Sequence, residues 1–76
     1  RLRESSARLA AIAPLLTDGL ARELHAGPID DEGWSLLASN AAVAAKLRHL
    51  LPRLSEKLRS SGFRELPIRV RVRSSR

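Results

Sequence analysis

Apolar residues recur along this chain with two different periods, and the points where the period switches divide it into elements. In the opening stretch "RLRESSARLAAIAPLLTDGLAREL", Leu9, Ile12, Ala13, Leu16 and Leu20 are three or four residues apart and share one face of a helix. Pro14 interrupts that helix, because an interior proline loses a hydrogen bond and clashes with the preceding turn at a cost of roughly 3 kcal/mol. A kink or two shorter helices are expected there, and Gly19 is a further weak point. Next, two short apolar runs flank the acidic, glycine-ended "DDEG". They predict a hairpin with a loop of about four residues, joining a strand near Leu24 to Ile29 with one near Trp34 to Ser39. Pro28 cannot donate to a ladder, so the first strand is expected to be short or at an edge.

The longest pattern starts at Asn40, a favourable N-cap, and runs through "AAVAAKLRHLLPRLSEKLRSSG" with Val43, Leu47, Leu50, Leu51, Leu54 and Leu58 as its apolar stripe. Pro52 splits it near the middle, so one bent helix or two consecutive helices are expected, and Gly62 is a candidate C-cap. The period then changes to two. "PIRVRVR", Pro67 to Arg73, alternates Ile68, Val70 and Val72 with Arg69, Arg71 and Arg73 and predicts a strand with one face buried. The resulting order, α-β-β-α-β, is an α+β domain in which two amphipathic helices pack on one face of a small three-stranded sheet. Ile68, Val70 and Val72 should face those helices, which leaves the arginines on the opposite face.

Charge sharpens this picture. Residues 1–38 hold four basic residues against six acids, a net of −2, whereas residues 39–76 hold ten against two, a net of +8. A field so lopsided favours a polyanionic partner. Same-face residues of a strand are about 6.5 to 7 Å apart, comparable with phosphate spacing along a nucleic-acid strand, and guanidinium groups bind phosphate through paired hydrogen bonds. Arg69, Arg71 and Arg73 are therefore the first candidates for nucleic-acid contact. Arg48, Arg53, Lys57 and Arg59 of the second helix either extend that surface or form a separate patch. The competing reading is that an open sheet face carries charge for solubility, or an edge strand carries it against aggregation.

At 76 residues the chain forms one small domain without room for a deep cleft. It has no cysteine, so neither disulfides nor a thiolate metal site support it. His25 and His49 have no metal-ligand spacing with each other or with a carboxylate, and Ser35, Ser39 and Ser55 have no identifiable base. No enzymatic activity, cofactor or metal site is expected. Asp30, Asp31 and Glu32 read as a solvated hairpin tip. Trp34 is the one candidate stacking platform for a base, although its place in the hairpin suits packing better. No run approaches the roughly 18 apolar residues of a membrane span, and no signal peptide is evident, so a cytoplasmic domain without membrane contact is expected. The first residue is Arg1, which suggests a piece of a longer chain.

The string "LARELHAGPIDDEGWSLLASNAAVAAKLRHLLPRLSEKLR…LPIRVRV" resembles the small domain of the DciA family, bacterial proteins that help load or operate the replicative helicase. The resemblance rests on a leucine-alanine pair before a histidine ("LARELH"), a short hairpin and a strand entering a capped helix ("LLASNAAVAAKLR"). A proline a few residues on ("HLLPRL") and a basic final strand complete it, so that it spans roughly Leu20 to Val72. The aromatic often found early in the second helix is absent, with Val43 near that place. The resemblance implies a KH-like fold, binding to single-stranded or branched DNA, interaction with the hexameric DnaB-type replicative helicase in DNA replication, and a flexible tail outside the folded domain. The GXXG loop by which true KH domains clamp nucleotides is missing, since "LLPRLS" has no glycine, and that clamp is not carried over. Two other readings stay open: a KH-like RNA-binding or ribosome-associated module, and a protein-interaction domain whose arginines meet an acidic partner.

Overall fold

A computed structural model describes residues 2–17 and 19–73. Helix α1 (Leu2–Ile12) is followed by two 3-10 turns (Ala13–Leu15 and Leu20–Glu23), the hairpin β1 (Leu24–Asp30) and β2 (Gly33–Ala38), helix α2 (Ala41–Ser60) and strand β3 (Ile68–Val72). The sheet order is β1-β2-β3, with β2 antiparallel to β1 and parallel to β3. Both helices pack on one face of this sheet, so the α-β-β-α-β order and the single covered face hold as expected.

The two prolines within helical patterns behave differently. At Pro14 the α-helix stops, with Ile12 its last residue and Pro14 inside the following 3-10 turn. At Pro52 helix α2 continues without interruption through all 20 residues. Leu47 before it and Leu54 and Leu58 after it are all buried. Burial at about 1.5 to 3 kcal/mol per leucine, taken over all three, exceeds the roughly 3 kcal/mol that one interior proline costs, whereas among the described residues between Pro14 and β1 only Leu16 is buried. Both ends of α2 are closed. The Asn40 side chain accepts a hydrogen bond from the Val43 N–H at 2.9 Å. At the other end Gly62 N–H donates to Arg59 O at 3.1 Å and Phe63 N–H to Leu58 O at 3.0 Å, the paired bonds of a Schellman turn. That turn directs Phe63 back onto the core.

The hairpin loop is two residues, Asp31 and Glu32, rather than four. In β1 the pairing shifts between Ala26 and Ile29, so Gly27 and Pro28 together oppose Ser35, a bulge that absorbs the proline at an edge strand. Gly33 has a φ of 120°, and a side chain on it would collide with the Pro67 carbonyl. The adjacent Trp34 N–H donates to that same carbonyl at 2.8 Å. The end of the hairpin is thus stapled to the start of β3, which fixes the β2–β3 register.

Beneath the helices lies a polar cluster that charge counting does not reveal. Arg8 has a side chain only 1% exposed; its Nε and Nη2 donate to Glu4 Oε2 at 3.0 and 2.9 Å, and Nη2 also donates to Arg64 O at 2.8 Å. The guanidinium lies 5.2 Å from the centre of the Phe63 ring and 6.0 Å from that of Trp34. Trp34 is fully buried, and its Nε1–H donates to Ser5 Oγ at 2.9 Å, which in turn donates to Gly27 O at 2.7 Å. Every member has a partner, as a buried polar group requires.

Candidate nucleic-acid interface

The register assigns side chains to the two faces of the sheet. Trp34, Leu36 and Ala38 of β2 point into the core, and their β3 partners Ile68, Val70 and Val72 share that face. The uncovered face therefore carries Ser35 and Leu37 from β2 with Arg69 and Arg71 beside them, and His25 across from Leu37 on β1. Arg73 lies one residue beyond β3, yet its N–H donates to Ala38 O at 2.7 Å and keeps the chain in register. Arg71 and Arg73 are exposed. The predicted arginine row is thus on the open face, with its neighbours about 6.5 to 7 Å apart along the strand.

The row is not electrically uniform. Glu32, at the hairpin tip, forms an ion pair with Arg69. Pro28, Asp30, Asp31 and Glu32 share a shallow depression of about 480 Å³ with Ser35, Leu37, Arg69 and Arg71. One end of the face is consequently acidic and the other, toward Arg71 and Arg73, is basic. Among the described residues, no carboxylate pairs with Arg71 or Arg73. Along the sequence the tip and the stripe are separate features; their contact depends on the parallel pairing of β2 with β3, which no local pattern encodes.

The helical candidates occupy the other layer of the domain. Arg48 and Arg53 are exposed and Lys57 half-buried on α2, whose apolar stripe packs on the covered face of the sheet. At about 100° per residue, Arg53 and Lys57 are about 40° apart around the helix, while Arg48 is about 140° from Arg53. The structure therefore groups Arg53 with Lys57 but does not join α2 and the open sheet face into one surface. Arg59 pairs with Glu56, which raises its pKa above the ordinary arginine value, and Arg64 pairs with Glu4 at 3.3 Å.

Neither aromatic ring belongs to the open face. Trp34 is fully buried in the core and Phe63 packs against it, so the residue considered for base stacking is structural. What the face offers a ligand is guanidinium groups and a small apolar centre at Leu37. Among the described residues, no group of three or more His, Cys, Asp or Glu side chains is placed to hold a metal ion, and no helix is long and apolar enough to cross a membrane. No protein-family model, curated protein or solved structure matches the chain.

Proposed function

We propose that this chain is a non-enzymatic, KH-like domain of the DciA type, which binds DNA through the phosphates and supports loading or operation of the replicative helicase in the bacterial cytoplasm. The observation that carries the DNA part is the row Arg69, Arg71 and Arg73 on the open sheet face, its last two members without an acidic partner among the described residues. Supporting it are the resemblance over Leu20 to Val72 and the net charge of +8 on residues 39–76. The lack of an aromatic ring on this face favours phosphate contacts over base readout, hence weak sequence preference and strong salt dependence. Arg48, Arg53 and Lys57 contribute mainly to the long-range field that draws DNA in.

One observation favours a second reading. Val72 is 47% exposed, and β3 is an edge of the sheet with Arg71 and Arg73 nearby. Such an edge suits an extended acidic segment of a partner protein adding a strand. Titration of labelled single-stranded DNA and of matched RNA, at low and near-physiological salt, separates these readings, with retention on the purified helicase as the family-specific arm. DNA binding that weakens steeply with salt, together with helicase retention, supports the proposal. A clear preference for RNA points to recognition of the 2′-hydroxyl. No nucleic-acid binding at low salt overturns the DNA function and leaves the acidic-partner reading.

A further inference from the structure

The hairpin tip has a geometry that bears directly on the arginine row. Its loop is short, and the Asp30 Oδ1 accepts the Glu32 N–H at 2.8 Å, which turns the backbone tightly at the tip. Immediately afterwards Gly33 and Trp34 are fastened to Pro67, the residue that precedes β3. With Ser35 in register with Arg69, the Glu32 carboxylate is delivered to the Arg69 guanidinium on the open face. A carboxylate there engages the Arg69 Nη1, a donor that a phosphate would otherwise use.

We infer that Glu32 is an intramolecular phosphate surrogate, so that the resting face presents two arginines, Arg71 and Arg73, and Arg69 joins only when a polyanion displaces the acidic tip. The inference rests on the DNA-binding reading above and deepens it. Displacement is energetically accessible, because Glu32 is 68% exposed and Arg69 37% exposed, and ion pairs in such settings are weak and screened by salt. The tip therefore sets a threshold: a ligand with closely spaced phosphates gains a third contact, whereas an isolated anion meets only the two arginines beyond the tip. It also gives the face a direction, with Asp30 and Asp31 repelling phosphate at the hairpin end and Arg71 and Arg73 attracting it at the other.

The test is titration of labelled single-stranded DNA over a salt series with five proteins: the wild-type domain, Glu32→Gln, Asp31→Asn, Arg69→Ala and Arg69→Ala/Glu32→Gln. Asp31 makes no ion pair among the described residues, so Asp31→Asn removes the same charge without freeing Arg69. Glu32→Gln should bind about two- to five-fold tighter at low salt than wild type. The slope of log affinity against log salt should steepen by about 0.7, the release expected for one added contact to a single strand. Asp31→Asn should have a smaller effect and an unchanged slope, and the gain from Glu32→Gln should vanish on the Arg69→Ala background. Equal effects of the two acid substitutions, no effect of either, or a gain that persists without Arg69 would each overturn the surrogate role while leaving DNA binding in place. If the wild-type protein does not bind DNA at all, the functional proposal fails and this inference fails with it. Glu32 and Asp31 are both exposed, and circular dichroism of each variant verifies that the fold is kept.

Discussion

Arg8 and Arg71 are the same residue type in one small domain, and their surroundings have nothing in common. Arg8 is enclosed between Phe63 and Trp34, held by Glu4 and by the carbonyl of Arg64. Arg71 stands exposed on the open sheet face with no acidic partner among the described residues. The first joins α1 to the segment after α2, a sequence separation of 56 residues, and belongs to the core. The second contributes nothing to the core and is available to a ligand. A net charge of +6 counts the two alike, although their positions relative to the sheet place one in the core and leave the other open to solvent.

Substitution should pull these roles apart. The largest effect is expected from Arg8→Ala, which empties the space between two aromatic rings and breaks the link to Arg64. We expect a loss of about 3 kcal/mol, read as a lower urea midpoint with little change in slope. Arg71→Ala/Arg73→Ala should leave the unfolding free energy within about 0.5 kcal/mol of wild type and weaken DNA binding by about tenfold per arginine at low salt. A marked loss of stability in that double variant would break the division of labour. Trp34→Phe retains a ring but removes the Nε1–H that reaches Ser5, and it should cost about 1 to 2 kcal/mol with DNA affinity unchanged for the folded protein.

The smallest effect concerns acid. The hydrogen bond from Arg8, and next the one from Arg64, holds the Glu4 carboxyl below its ordinary range. A carboxyl whose pKa is lower in the folded chain than in the unfolded chain stabilises the fold above the unfolded value. That contribution is lost as the pH falls from the ordinary glutamate range through the lower folded value. Urea midpoints measured from neutral pH downward should thus show a decline in this window that Glu4→Gln reduces. An equally steep decline in the variant would show that Glu4 is not a source of it.

The elements were legible in the sequence because each rests on local repetition. A helical period, a period of two around a glycine-ended turn, an asparagine cap and the alternating "IRVRV" suffice for the α-β-β-α-β order and for which residues of β3 share the face of the helices. Even the uncertainty at Pro52 is physical, since local propensity argues for a break and only tertiary burial of the flanking leucines keeps the helix whole. Arg8 was not legible. The apolar stripe read from Leu9, Ile12, Ala13, Leu16 and Leu20 is rotated from the buried one, in which Ser5, Arg8, Ile12 and Leu16 face inward. Its one local signal was the spacing of Glu4 and Arg8, four residues apart, which marks a helical pair but gives no hint of the two rings that enclose it. The Glu32–Arg69 pair was hidden for a related reason: 37 positions separate the two residues, and only the pairing of β2 with β3 brings them together.

The central claim is that the open sheet face, rather than the exposed side of α2, holds DNA. Its most direct test compares two triple variants that remove the same charge, Arg69→Ala/Arg71→Ala/Arg73→Ala and Arg48→Ala/Arg53→Ala/Lys57→Ala, in titrations of labelled single-stranded DNA at one low salt concentration. Because both lower the net charge by three, their shared loss measures the long-range field and the difference measures direct contact. The account predicts that the sheet variant loses binding while the helix variant retains most of it. Loss of binding in the helix variant, with the sheet variant close to wild type, would contradict it.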